Sequence, residues 1–208
     1  MSQENWTAVD DYFETHFIAD DLVLTEALSA SEKANLPAIN VAPNQGKLLM
    51  LMAQMQGAKS ILEIGTLGGY STIWLGRALP DDGKLISLEM NPDCVKIARD
   101  NIVRAGLDDK VTIIEGVALD SLPTLVHEAP FDFIFIDADK PNNPFYYEWS
   151  LKLSRPGTII FADNVVRDGE VTNPDSKDEK VIGTQQMAEL IAKDNRVEAT
   201  AIQTVGAK

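Results

Sequence analysis

Two apolar runs in this chain stop abruptly at oxygen-bearing side chains. FDFIFIDADK ends in Asp137, Asp139 and Lys140, and TIIFADN ends in Asp163 and Asn164. Asp137, Asp163 and Asn164 would offer hard oxygen donors with few competing nitrogen or sulfur ligands, a set that suits Mg²⁺ or Ca²⁺. The plainer alternative is that such acids only cap the neighbouring helices. Two consecutive runs end this way, however, and carboxylates clustered without a cation would repel one another. Lys140 is a candidate general base, weighed against a surface cation that pairs with Asp139.

A third constellation, ILEIGTLGGYST, places Gly65, Gly68 and Gly69 directly after an apolar run, where missing side chains let the backbone approach a ligand. A dinucleotide fingerprint needs glycine at the third and sixth positions, but counting from Gly65 those are Leu67 and Tyr70, which disfavours NAD. Glu89 closes the next run, LISLEM, where a carboxylate can accept both hydroxyls of a ribose. Glu63 has two possible jobs: facing a cationic group of a ligand, or holding the loop by accepting backbone N–H bonds.

These residues need a scaffold that brings them to one edge. Up to about Gly57 the pattern is helical, in VDDYFETHFI, LVLTEAL and LLMLMAQM, with a break at Leu36-Pro37 and a loop at NVAPNQG. From residue 58 onward, strands alternate with helices: KSILEIG, KLISLEM, VTIIEG, FDFIFIDA and TIIFADN are strands separated by amphipathic segments. Continuous apolar strands in such a series predict an α/β fold with a mostly parallel sheet covered on both faces. Ligands then bind beyond the carboxyl ends of the strands, where all the candidate residues fall. The polar stretch VVRDGEVTNPDSKDEK is either an active-site lid or a solvated loop. VIGTQQMAELIAKDN is a further helix and VEATAIQTV a last strand. Of the aromatic residues Phe145, Tyr146, Tyr147 and Trp149, some would line a pocket and some must be core.

The 208 residues, 45% hydrophobic, suit one domain, and no apolar run approaches the roughly 18 to 20 residues needed to cross a bilayer. The acidic N-terminus is not a signal peptide, so a cytoplasmic protein is expected. A formal charge of -14 opposes a broad grip on nucleic acid. The lone Cys94 reads as a small buried hydrophobe, and neither His16 nor His127 has neighbours that mark a triad.

ILEIGTLGGYS, IDADK and ADN, in that order, resemble the cation-dependent O-methyltransferases, the family of catechol O-methyltransferase and the caffeoyl-CoA O-methyltransferases. The resemblance runs from the NVAPNQGKLL loop to the last predicted strand. It implies a Rossmann-like fold, S-adenosylmethionine as methyl donor, a divalent cation, a small phenolic or catechol acceptor, and a homodimer. It places cofactor contacts at Val41, Glu63, Gly65, Thr66, Ser71, Glu89, Ala118 and Asp137, the metal on Asp137, Asp163 and Asn164, and the base at Lys140. Ala118 stands where catechol O-methyltransferase has a serine near the adenine, so its contact would be through the backbone. The family's final antiparallel strand is expected to be absent. Methylation of a hydroxylated uridine in tRNA and a non-catalytic cofactor-binding module are the alternatives; the acidic balance opposes the first, and the intact Asp137, Lys140, Asp163 and Asn164 set opposes the second.

Overall fold

Strands that are apolar on both sides require cover above and below, and the chain supplies it. The computed structural model describes residues 2–18 and 20–205; residues 1, 19 and 206–208, which belong to the expected helical cap and core, lie outside the described part. Five strands, β1 (Ser60–Ile64), β2 (Lys84–Glu89), β3 (Val111–Glu115), β4 (Phe131–Ile136) and β5 (Ser154–Ala162), form one sheet in the order β3-β2-β1-β4-β5. Every pairing is parallel. The chain leaves β1 toward β2 and β3 on one side and later returns to place β4 and β5 on the other. The cleft beyond the ends of β1 and β4 is therefore the switch point at which such sheets bind ligands.

Alternate residues of each strand feed two separate cores. Ile61, Leu85, Phe133 and Phe135 point to one face, against α2 (Leu22–Lys33), α3 (Pro43–Gln56), α4 (Tyr70–Ala78) and α5 (Pro92–Arg104). Leu62, Ile64, Ile134 and Ile136 point to the other. That second face is covered by a short helix α6 (Ala118–Ser121) with the 3₁₀ turn Leu122–His127 and by α7 (Asn143–Lys152). A further helix, α8 (Glu179–Lys193), packs on α7 and on the Lys140–Asn142 turn. The N-terminal α1 (Gln3–Phe17) buries none of its residues, and Asp21 caps α2 by accepting from the backbone N–H groups of Val23 and Leu24.

Two expectations are corrected. Pro43 opens α3, so NVAPNQG is only partly loop; a missing N–H is no loss in a first helical turn. VEATAIQTV is not a strand: residues 197–205 carry no ladder. An alternating pattern becomes a strand only when its N–H and C=O groups meet a neighbouring strand, and among the described residues none pairs with it. Cys94 is buried, as expected of a small hydrophobe, and desolvation pushes its thiol upward. His16 and His127 are both exposed.

Candidate active site

The carboxyl edge of the sheet collects the candidate residues in spatial order. Ala118 follows β3, Glu89 ends β2, Gly65 and Thr66 follow β1, Asp137 follows β4, and Asp163 and Asn164 follow β5. Val41 lies buried just before α3, and Ser71 sits in the first turn of α4. The glycine loop adopts a shape that few side chains allow: Gly65 has φ +95, Leu67 φ +52 and Gly69 φ +86. At Gly65 crowding adds to this conformational demand, because a Cβ there would lie 2.3 Å from the carbonyl oxygen of Asp137. The loop can thus press against the end of β4 only as glycine.

Glu89 braces that loop. One carboxylate oxygen accepts from the backbone N–H of Thr66 at 3.3 Å and of Leu67 at 2.9 Å, and the other from Asn91 N–H at 2.9 Å. Loop-holding, considered for Glu63 in the sequence, thus belongs to Glu89. Glu63 itself is 0% exposed, so a direct ligand contact is blocked in this structure, and its oxygens are engaged by hydroxyls: Ser71 and Ser87 donate at 2.6 Å and Thr72 at 2.5 Å. Thr66 and Thr72 hydroxyls are also hydrogen-bonded to each other. This hub ties β1 and β2 to the first turn of α4. The signal for it was available in Ser87, a polar residue in the middle of a strand that is otherwise apolar.

Burial pushes the Glu63 carboxyl from 4.5 up to about 7, opposed by the three hydroxyls, with the Asp137 charge adding to the rise. The folded state therefore holds this proton more tightly than the unfolded chain does. The stability contributed is fully present below pH 4.5 and is lost as the pH rises to about 7. Glu63→Gln is accordingly expected to gain roughly 2 to 4 kcal/mol over the parent at pH 8, and little at pH 4.5. Denaturant unfolding at the two pH values measures this, and an equal difference at both would assign the titration to another group.

On the reaction side, the β4–β5 ladder aligns Ile136 with Ala162, so Asp137 and Asp163 follow as neighbours, and Asp163 N–H donates to the Ile136 carbonyl at 3.0 Å. Asn164 has φ +56, is exposed, and its N–H donates to the Asp163 carboxylate at 2.7 Å. Lys140 is 6% exposed, and its Nζ lies 2.7 Å from Asp137 Oδ1. It is therefore a buried partner of Asp137 and not a surface partner of Asp139. Asp139 instead accepts from the Tyr146 hydroxyl at 2.5 Å and from Asn142 at 2.6 Å. Burial first, and then Asp139, push the Tyr146 phenol above its ordinary range. Among the four aromatic residues, Tyr146 and Tyr147 are core while Phe145 is exposed. Among the described residues no three His, Cys, Asp or Glu side chains form a metal cluster; the candidate set combines two aspartates with an asparagine amide.

The polar 165–178 stretch contains a 3₁₀ segment, Arg167–Thr172, with Asp168 and Gly169 in the left-handed region. Its backbone is held by Gln185 of α8, whose amide donates to the carbonyls of Val171 at 3.1 Å and Asn173 at 2.7 Å. Nothing in the local pattern of α8 announced that contact.

The family model described as O-methyltransferase matches residues 14–207. The chain belongs to the O-methyltransferase family. It is an enzyme of methyl transfer to oxygen, and its fold is the Rossmann-like fold of the S-adenosylmethionine-dependent methyltransferases. Catechol O-methyltransferase of Niastella koreensis is 48% identical over 210 residues, spanning 100% of this chain and 95% of the relative. Catechol O-methyltransferase of Mycobacterium tuberculosis is 44% identical, spanning 99% and 93%. Among solved structures, an O-methyltransferase from Bacillus cereus in complex with SAH superposes with a TM-score of 0.97 at 56% identity, covering 99% of this chain and 94% of that one. The O-methyltransferase TomG of Streptomyces achromogenes, involved in tomaymycin synthesis and solved with SAM, gives 0.96 at 47% identity, covering 99% and 93%. No helix of the described residues is long and apolar enough to cross a membrane.

Proposed function

We propose that this O-methyltransferase moves the methyl group of S-adenosylmethionine to one hydroxyl of a vicinal pair on a small catechol-like or caffeoyl-type acceptor, with Mg²⁺ or Ca²⁺ held by Asp137, Asp163 and Asn164. The observation that carries this reading is the pair of in-register strand ends, Asp137 and Asp163, beside a buried lysine. The donor set fits such a cation, since it is made of hard oxygens with no thiol or imidazole in it. When bound, the cation would gather two adjacent acceptor oxygens and make the reacting hydroxyl more acidic.

The chain's own groups supply the rest. The glycine loop and Ser71 cradle the donor, Glu89 meets its ribose, and Val41 and the Ala118 backbone flank it. Lys140 Nζ takes the acceptor's proton once the proton it holds beside Asp137 has passed to solvent. The acceptor oxygen then bonds to the methyl carbon as the carbon–sulfur bond breaks, and the opposite charges of nucleophile and sulfonium cancel. A water-poor site favours that neutralisation, and the 165–178 stretch would cover it. A cytoplasmic homodimer completes the proposal.

Methyl transfer from labelled S-adenosylmethionine to a panel of catechol and caffeoyl acceptors, with Mg²⁺ and with chelator, tests the reading. Product that vanishes with chelator is expected. Product that persists in chelator would remove the cation from the proposal, and donor binding without product on any acceptor would remove the acceptor class. Glu89→Ala is expected to weaken donor binding by roughly 1 to 3 kcal/mol, through loss of charge-assisted bonds and of the loop brace. Unchanged affinity by titration calorimetry would leave Glu89 no part in the donor site.

A further inference from the structure

Gly183 lies in the interior of α8 and is buried, yet its backbone is helical and makes no demand for glycine. Glycine in such a position is less stable than alanine would be, so the reason for it lies in packing. A Cβ at this position would stand 2.2 Å from the Lys140 carbonyl oxygen, 2.7 Å from Pro141 Cα and 3.0 Å from the Lys140 carbonyl carbon. These are backbone atoms, which cannot swing aside as the tip of a side chain can. At the other end of the same segment, Gly65 presses on the Asp137 carbonyl in the same manner. The five residues from Asp137 to Pro141 are thus gripped at both ends by backbone that carries no side chain.

We propose that Gly183 is a positioning residue of the reaction: by letting the α8 backbone seat directly on the Lys140–Pro141 peptide, it sets where the Lys140 ammonium stands relative to Asp137. This rests on the reading of Lys140 as the base. The seat also explains why a lysine can be buried here with its Nζ held at 2.7 Å from a single carboxylate oxygen. Gln185, two residues further along, ties α8 to the 165–178 stretch, so one helix supports both the base and the segment that would cover it.

The effect expected of displacing Lys140 by a fraction of an ångström to an ångström is a loss of rate without a loss of binding. Gly183→Ala should therefore lower kcat by about ten-fold or more, counted per donor site titrated by calorimetry, with acceptor KM and donor Kd unchanged within about three-fold. The variant is combined with Lys140→Met in a double-mutant cycle. If Gly183 acts through Lys140, Gly183→Ala costs no further rate once Lys140 is replaced; full additivity would overturn the proposal. So would an unchanged kcat accompanied by a raised melting temperature, the result for an ordinary helix position. Lys140→Met alone separates the two claims, since full activity of that single variant would sink the base reading itself. If Gly183→Ala prevents folding, Pro141→Ala takes its place, loosening the same seat from the side of the Lys140–Pro141 peptide. A fall in kcat at constant KM then supports the seat, and a lower melting temperature with constant kcat overturns it.

Discussion

Asp163→Ala is expected to abolish methyl transfer while leaving S-adenosylmethionine affinity within a few-fold. Asp163 follows β5 at one margin of the sheet, whereas the residues proposed to hold the donor, Gly65, Glu89 and Ala118, follow β1, β2 and β3. Removing its carboxylate takes one of two charged donors from the proposed cation site and leaves the ribose and loop contacts untouched. Calorimetric titration with S-adenosylmethionine, paired with the labelled-methyl assay in saturating Mg²⁺, measures both halves. Full activity would sink the metal assignment. Loss of donor binding together with turnover would mean that Asp163 acts by holding its own strand end, where it accepts the N–H of Asn164.

Lys140→Met should reduce kcat by roughly 10²- to 10⁴-fold, the usual contribution of a positioned proton acceptor. Methionine keeps much of the side-chain bulk but cannot receive a proton, and it leaves Asp137 without its ion-pair partner. Stability must therefore be followed alongside rate, because breaking a buried pair is itself destabilising. Lys140→Arg separates the two effects. Its guanidinium remains a cation beside Asp137 but does not give up its proton at any working pH. The expected outcome is a melting temperature near that of the parent with turnover still lost. Recovery of turnover in Lys140→Arg would show that positive charge, and not proton transfer, is what the site requires.

Much of this architecture was legible in single residues and their order. The runs KSILEIG, KLISLEM, VTIIEG, FDFIFIDA and TIIFADN form the five strands, because apolar runs bounded by turn residues and alternating with helices pack as a parallel sheet covered on both faces. Asp137, Asp163 and Asn164 were found as candidates because they interrupt such runs at the carboxyl end, and ladder register then makes neighbours of the first two. VEATAIQTV misled because strand formation needs a partner that the pattern itself does not contain. The partner of Lys140 was not legible either, since Asp139 is its immediate neighbour in the chain and only the turn geometry decides that the more distant Asp137 takes it instead.

The sequence by itself determined the fold class, the sheet edge at which the candidate residues gather and the types of those residues, because strand period, glycine spacing and carboxylate position are properties of short segments. Tertiary structure alone decided that Glu63 is a buried hub for three hydroxyls, that Glu89 braces the glycine loop, and that Gly183 seats α8 on Lys140. Those contacts join segments distant along the chain, and each depends on separations of a few tenths of an ångström that packing sets and local pattern does not encode.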